Sequence, residues 1–275
     1  MIRSFIIVLF SFFSFFNSQA QSIKLSGKVS DVDHHVAVAF ANIGIKDQKV
    51  GTLSDEHGYF NITIPDSLKN ELLTFSCVGF ETVTKKISDL KKVKELNIQL
   101  AQKAIALPEF VVSNKPVKPY RIGIRGRTPL VSVPATSYNK HDIIEQARSF
   151  KIKEFIKVLN ANIYYVGGRS DSIRLRLNFY SLHNGFPGER LINNSIIKTF
   201  KSDKGWFSFD LSDEKIYVSE DFAVSFEYLP DSNSEIKPLA FGAKLGAADS
   251  FVRLNSQGKW QKNELGGATI YLTVK

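Results

Sequence analysis

The sequence predicts an all-β protein made of two antiparallel β-sandwich domains that follow an N-terminal signal peptide. Three observations support this fold class. From Ile23 onward, apolar and polar residues alternate with a period of two in short runs, as in strands with one buried face. Turn residues separate the runs at a spacing of about ten residues, which is typical of sandwiches and barrels. A proline-rich basic stretch near residue 115 divides the runs into two groups.

The first twenty residues predict a secretory signal peptide. A short basic start at residues 1–3 precedes a phenylalanine-rich apolar run at 4–16, and Ser18 and Ala20 are the small residues expected before a cleavage site. The apolar run is shorter than the about 20 residues that a membrane helix needs. We therefore expect residues 1–20 to be removed. The mature protein is then exported to the periplasm, the outer-membrane surface or the extracellular space, with no transmembrane span.

Composition limits the classes of function. The chain has 36 Lys and Arg against 27 Asp and Glu, for a net charge of +9, and its 43% hydrophobic content supports packed cores. Basic residues are concentrated over 115–127, where no acidic residue intervenes. We interpret this stretch as a solvated linker rather than a nucleic-acid site, because no nucleic-acid-binding motif accompanies it. The single cysteine, Cys77, excludes an intramolecular disulfide and is expected in a strand core.

The predicted first domain covers residues 21–113. Its predicted strands are 23–29, 37–45, 59–64, 72–78, 80–87, 96–100 and 110–112. Asp55 and Gly58 predict a tight turn, because aspartate begins such turns and glycine adopts the positive φ that they need. We expect Gly27 to let the first strand bend. These runs predict a sandwich of about seven strands.

A linker is predicted at residues 114–136. Pro116 and Pro119 hold the backbone extended and cannot donate to a strand ladder. Alternation resumes in the second predicted domain, residues 137–275. Its clearest runs are 173–179, 207–211, 222–228 and 270–274. This pattern predicts a jelly-roll-like sandwich of two sheets.

One segment of the second domain, residues 141–161, fits either a helix or strands. Its apolar residues include positions that would share a helical face. We favour strands, because residues 150–153 alternate strictly between apolar and basic and residues 163–166 are rich in strand-forming types.

Six segments of the first domain carry a family resemblance by their order and spacing: 25–29, 40–43, 51–60, 62–65, 74–80 and 107–112. With them the domain resembles the carboxypeptidase-regulatory-like domain, a transthyretin-like sandwich common in exported proteins of Gram-negative bacteria. The resemblance implies a non-catalytic module that accompanies carboxypeptidase domains or extends outer-membrane receptors. Residues 171–211 resemble a poorly characterised jelly-roll region that follows this module in some exported proteins.

Catalytic, metal-binding and cofactor-binding patterns are missing from the sequence. The five histidines form no HxxE or HExxH arrangement, which a zinc peptidase would use. There is no GxSxG nucleophile turn and no phosphate-binding loop. The acidic residues over 210–221 are interpreted as a charged hairpin loop rather than the paired carboxylates of a glycosidase. We therefore predict no enzyme activity, no metal and no cofactor.

Aromatic residues provide the predicted ligand-binding site. The candidates are Trp206, Trp260, Tyr164 and Tyr165. Trp206 is out of phase with the phenylalanines that follow it and is expected on the outer face or rim of its sheet. Trp260 and the two tyrosines lie beside glycine-rich turns. Sugar-binding sandwiches stack sugar rings on such aromatic residues. The alternative is that both tryptophans are core or edge residues of the sandwich.

The predicted function is that of an exported, non-catalytic binding or adaptor protein of the bacterial cell envelope or secretome. Its expected partner is an envelope protein or a polysaccharide, and nucleic acid is not expected. One alternative is a carbohydrate-binding module that uses exposed aromatic residues. A second alternative is an accessory part of a peptidase or of an outer-membrane receptor system.

Overall fold

The structure, a computed structural model, describes residues 21–103, 117–231 and 238–275. The predicted signal peptide, the start of the predicted linker and the segment 107–112 lie outside these ranges. The described part of the chain contains twenty-two strands, one short α-helix, α1 (Ile87–Leu90), and one 3-10 helix (Asp66–Leu68). The strands are β1 (Ser22–Asp31), β2 (Asn42–Ile45), β3 (Gly51–Leu53), β4 (Tyr59–Pro65), β5 (Leu72–Ser76), β6 (Val83–Lys86), β7 (Leu96–Leu100), β8 (Tyr120–Gly123), β9 (Ser132–Pro134), β10 (Glu145–Phe150), β11 (Ile156–Gly168), β12 (Ser172–His183), β13 (Phe186–Arg190), β14 (Ile196–Lys201), β15 (Gly205–Asp210), β16 (Tyr217–Val218), β17 (Phe222–Tyr228), β18 (Leu239–Leu245), β19 (Ser250–Arg253), β20 (Gln261–Lys262), β21 (Gly266–Ala268) and β22 (Ile270–Val274). The all-β prediction is confirmed.

The first sandwich contains the seven strands β1 to β7. One sheet has the order β4-β1-β7 and the other has the order β3-β2-β5-β6. Alternating residues of both sheets meet in one core that includes Val29, Ile43, Ile64 and Phe75. Pairing is antiparallel except between β1 and β7, which are parallel. Helix α1 lies between β6 and β7 and buries Ile87 in the same core.

Gly27 has a different role from the bend that the sequence analysis expected. It stands opposite Leu96 in the parallel pair of β1 and β7. A Cβ atom at Gly27 would lie 2.2 Å from the carbonyl oxygen of Leu96 and 2.7 Å from its Cβ. Glycine is therefore needed here because the two backbones approach closely.

The second sandwich contains the strands β8 to β22 in two sheets. The seven-stranded sheet has the order β13-β12-β17-β10-β19-β20, with β14 also paired to β12. The eight-stranded sheet has the order β21-β18-β11-β22-β8, with β15 and β16 paired to β11 and β9 paired to β18. Residues of both sheets interdigitate in a second core, to which Phe179, Phe226, Ile163 and Leu272 contribute. This arrangement confirms the predicted two-sheet architecture.

Two sequence expectations about the second half have clear outcomes. Residues 141–161 contain β10 and the start of β11, so the choice of strands over a helix is confirmed. The described part of the predicted linker contributes β8 and β9 to the eight-stranded sheet. These strands are only four and three residues long, too short for alternation to predict them.

The two sandwiches contact each other through the outer face of the seven-stranded sheet. Phe40 and Leu53 of the first sandwich form a small apolar cluster with Ile143 and Leu229. A backbone hydrogen bond also links the two sandwiches, from the Leu53 N–H to the His141 carbonyl at 2.7 Å. The first sandwich therefore covers a face that would otherwise be exposed to solvent.

In the part of the chain that the structure describes, no helix is both long and apolar enough to cross a membrane.

Gly27→Ala is expected to lower the free energy of unfolding by about 1–3 kcal/mol, because the added methyl group must displace the Leu96 backbone. Urea denaturation measures the change. Ser26→Ala, at the neighbouring exposed position, is the control and is expected to change stability by less than about 0.5 kcal/mol. Equal stabilities of the two variants would contradict the close-approach explanation.

Candidate functional site

Three aromatic side chains meet on the outer face of the eight-stranded sheet. Tyr164 on β11 and Trp206 on β15 are direct cross-strand partners, and their ring centroids lie 5.3 Å apart at an interplanar angle of 90°. The Trp206 ring also lies 4.7 Å from the ring of Tyr271 on β22, at 82°. Trp206 therefore stands edge-on between two tyrosines. We call Tyr164, Trp206 and Tyr271 the aromatic surface.

Two arginines flank the aromatic surface. The guanidinium carbon of Arg127 lies 5.2 Å from the ring centroid of Tyr164, and that of Arg121 lies 5.8 Å from the ring centroid of Tyr271. Gly242 leaves room for the first contact, because a Cβ there would lie 3.0 Å from the Tyr164 ring and 3.1 Å from Arg127 Cδ. Guanidinium groups over aromatic faces are held by cation–π attraction, which keeps both cations at the site.

Polar side chains continue the outer face away from the rings. Asn162 faces Ser208 and Asn160 faces Asp210 at the next cross-strand positions on β11 and β15. The Asn160 amide lies 3.4 Å from the Asp210 carboxylate. Trp206 is 37% exposed. Asn162 is buried, so the face offers apolar ring surface, the Asn160 amide, the Ser208 hydroxyl group and the Asp210 carboxylate.

The four predicted site residues fall in three places. Trp206 and Tyr164 come together on the aromatic surface, with Trp206 on the outer face as its phase indicated. Tyr165 lies in the core instead, fully buried, where it stacks on Phe207 at 4.9 Å. Its hydroxyl group is 2.8 Å from Ser202 Oγ. Neighbouring strand residues point to opposite faces, so Tyr164 and Tyr165 cannot both reach a ligand on one face.

Trp260 belongs to the other sheet. Its ring packs edge-on against Tyr180 at 5.7 Å, and the guanidinium carbon of Arg253 lies 4.9 Å from its centroid. It therefore does not join Trp206 in one site. Tyr271, Arg121 and Arg127 were not among the predicted site residues. Tyr271 alternates with the buried Ile270 and Leu272, a signal that it faces outward, but its contact with Trp206 depends on strand pairing.

A second polar feature is a row of charged residues in register across four strands of the seven-stranded sheet. Arg176 on β12 is opposite Glu227 on β17, which is opposite Glu145 on β10, which is opposite Arg253 on β19. We call these four residues the charged row. It lies on the face that the first sandwich covers, and Arg176, Glu145 and Glu227 are fully buried.

Ion pairs and amide hydrogen bonds satisfy the two carboxylates of the charged row. Arg253 pairs with Glu145, its Nε donating to Oε2 at 3.0 Å, and Arg176 Nη1 lies 3.5 Å from Glu227 Oε2. Asn178 Nδ2 donates to Glu145 Oε1 at 2.9 Å and to Glu227 Oε2 at 3.0 Å. The bridging amide holds the two carboxylates in fixed positions.

Burial and pairing shift the protonation of groups at the charged row. Burial, followed by the charge of Glu145, raises the pKa of Tyr180 to about 12. The Tyr180 hydroxyl donates to Glu145 Oε1 at 2.8 Å. Burial acts to raise the pKa of Glu145, but Arg253, Arg190 and the hydrogen bonds that it accepts outweigh burial and lower it. Glu145 is therefore ionised and paired at neutral pH.

Cys77 is buried, as the sequence analysis expected, and burial raises the pKa of its thiol. Among the described ranges, no three histidine, cysteine, aspartate or glutamate side chains are grouped closely enough to hold a metal ion.

Comparisons with known proteins identify the first sandwich and leave the rest open. Residues 25–112 match the model of the CarboxypepD_reg-like domain family, which confirms the predicted resemblance. No curated protein matches the chain. Among solved structures, the cysteine protease and lectin-like domains of Cwp84, a surface-layer-associated protein of Clostridium difficile, align with a TM-score of 0.44 and 12% identity. That alignment covers 60% of this chain and only 37% of that protein.

Two further solved structures align with lower TM-scores. The clostridial cysteine protease Cwp84 after propeptide cleavage aligns with a TM-score of 0.42 and 10% identity, over 92% of this chain and 70% of that one. The VP2 subviral particle of infectious bursal disease virus aligns with a TM-score of 0.28 and 8% identity, over 92% and 63%. Likenesses at this level do not assign a function.

Glu145→Gln is expected to lower the free energy of unfolding at neutral pH by about 3–5 kcal/mol, because it leaves the largely buried Arg253 without its ion pair. Chemical denaturation of both proteins measures the loss. Glu220→Gln, at an exposed loop position, is the matched control and is expected to change stability by less than about 0.5 kcal/mol.

The same variant tests the pH dependence of stability. Since the folded pKa of Glu145 is below its unfolded value, its contribution is present above the unfolded pKa and is lost as pH falls through the folded one. The wild-type unfolding free energy is expected to decrease more steeply than that of Glu145→Gln between about pH 5 and about pH 3. Parallel pH profiles would show that Glu145 is not held as a paired carboxylate.

Proposed function

We propose that this protein is an exported, non-catalytic binding protein of the cell envelope that holds a glycan on the aromatic surface. The observation that supports the proposal is the position of Trp206, half-exposed and edge-on between Tyr164 and Tyr271, on the open face of the eight-stranded sheet. The predicted signal peptide supports export.

Ring geometry favours a glycan as the ligand. The C–H faces of a sugar ring are apolar and flat, so they bury against an aromatic face, while hydroxyl groups at the ring edge need hydrogen-bond partners. The outer face supplies such partners along the same strands, in the partly exposed Ser208 and Asn160. From Tyr164 to Asn160 the strand covers about 13 Å at about 3.3 Å per residue, which accommodates more than one sugar unit.

Charge favours an acidic glycan over a neutral one. Arg121 and Arg127 place two guanidinium groups at the tyrosine rings, and the chain carries a net charge of +9. Guanidinium groups form short, bidentate hydrogen bonds to carboxylates. A polymer that contains uronic acids presents a carboxylate on each such unit, so it combines both chemistries that the surface offers.

Trp206→Ala is expected to weaken binding to an acidic polysaccharide by at least about tenfold, because truncating a central aromatic anchor costs about 2 kcal/mol or more. Affinity electrophoresis in gels that contain polygalacturonate or alginate measures the change in mobility. Trp260→Ala, on the other sheet, is the matched control and is expected to keep wild-type retardation.

Arg127→Gln separates acidic from neutral glycans. It is expected to reduce retardation in polygalacturonate and to leave any retardation in hydroxyethyl cellulose unchanged, because only the carboxylate contact is removed. Wild-type retardation by Trp206→Ala, with its circular dichroism spectrum intact, would reject the glycan proposal for this surface.

A further inference from the structure

A cleft of about 300 Å³ lies where the two sandwiches meet, on a different sheet from the aromatic surface. Residues from both sandwiches line it, and we call it the junction cleft. The lining residues used below are Lys103, Tyr180, Glu189, Arg190, Asn193 and Gln257. Because its walls come from two modules, a ligand in the cleft would touch both of them.

Arg190 is the arginine of the junction cleft that has no direct ion pair. It stands opposite Tyr180 across β13 and β12, and its guanidinium carbon lies 5.9 Å from the Tyr180 ring centroid. Its Nε is buried and makes no hydrogen bond, and no described carboxylate forms an ion pair with it. A guanidinium group has five N–H donors, so most of its bonding capacity is unused.

Arg190 differs from two neighbouring arginines in having no direct ion pair. Arg253 pairs with Glu145 and Arg176 lies 3.5 Å from Glu227, whereas no ion pair within 4 Å joins Arg190 to a carboxylate of the described residues. Burial acts to lower the pKa of Arg190, but Tyr180, Glu227 and Glu145 outweigh burial from a longer distance and raise it. An anion in the cleft can bind the guanidinium group directly, which these carboxylates do not do.

Two charged residues lie at the rim of the cleft. Glu189 and Lys103 are both exposed and carry opposite charges. Asn193 adds an amide at the wall, and Gln257 is held between the sandwiches by donating to Ser76 Oγ at 2.7 Å. Arg190 is therefore surrounded by groups that accept and donate hydrogen bonds.

We propose that the junction cleft binds a small organic monocarboxylate, with Arg190 as its bidentate donor and Lys103 at the rim. Arg190 has no direct ion pair among the described residues, and the planar fork of arginine matches the geometry of a carboxylate. The volume suits a single sugar acid or a dipeptide terminus. This site is independent of the glycan proposal, because it lies on the other sheet and uses none of the same residues.

The test is isothermal titration calorimetry of the full chain with three probes: D-glucuronate, the dipeptide Ala-Ala and inorganic phosphate. We expect heat of binding with at least one of the two carboxylates, and the probe that binds distinguishes a sugar acid from a peptide terminus. Arg190→Gln is expected to weaken that binding by at least about tenfold. Arg169→Gln, an exposed arginine outside the cleft, is the control and is expected to bind as wild type does.

Two further measurements separate a binding role of Arg190 from a structural one. Without ligand, Arg190→Gln is expected to melt within a few degrees of the wild-type temperature, because Arg190 makes no direct ion pair. Lys103→Gln, at the exposed rim, tests the cleft without altering a buried residue and is expected to weaken binding by about two- to fivefold. Trp206→Ala is expected to leave carboxylate binding unchanged, so failure of the glycan proposal would not affect this one.

Three outcomes would overturn the proposal. The first is binding of phosphate with no response to either carboxylate, or no response to any probe at millimolar concentration. The second is carboxylate binding that Arg190→Gln retains. The third is a ligand-free melting temperature of Arg190→Gln several degrees below wild type, which would make Arg190 part of the junction packing.

Discussion

The charged row is the constraint on which the arrangement of this protein depends. Two arginines and two glutamates stand in register across β12, β17, β10 and β19, on a sheet that is covered on both faces. A shift of one residue in any of these strands would carry a charge into the apolar core, so pairing of the row specifies the register. The row also holds the first sandwich, because Arg176 Nη2 donates to the Phe40 carbonyl at 2.7 Å and Asn42 Nδ2 donates to Glu227 at 3.3 Å.

Covering one sheet determines which surfaces remain for ligands. The outer face of the seven-stranded sheet is used by the contact between sandwiches, so its polar side chains bond within the protein. The outer face of the eight-stranded sheet has no such cover among the described residues, and Trp206 is 37% exposed there. Aromatic side chains on an uncovered sheet face bury little area unless a ligand packs on them, which connects the fold to the proposed glycan surface.

Local pattern predicted the strands well and the environment of their polar faces poorly. Alternation indicated β12, β15, β17 and β22 and the outward phase of Trp206, and spaced motifs indicated the first sandwich. The same alternation put Arg176 and Asn178 on a polar face that would ordinarily be solvated. Their burial results from packing of a distant module, and the pairing of Glu145 with Arg253 joins residues 108 positions apart. Local periodicity likewise does not encode the order of strands in a sheet. Nor does it encode the close approach of the β1 and β7 backbones at Gly27.

The two proposed sites differ in how they are connected to the junction. The apolar core of the second sandwich separates the aromatic surface from the charged row. Only Tyr180 separates the junction cleft from the charged row. Its ring packs against Arg190, and its hydroxyl group donates a hydrogen bond to Glu145. An anion that pairs with Arg190 therefore changes the electrostatic potential at Tyr180, which is hydrogen-bonded to Glu145 of the charged row. Ligand in the cleft would stabilise contact between the sandwiches, whereas a glycan on the opposite sheet would leave that contact unaffected.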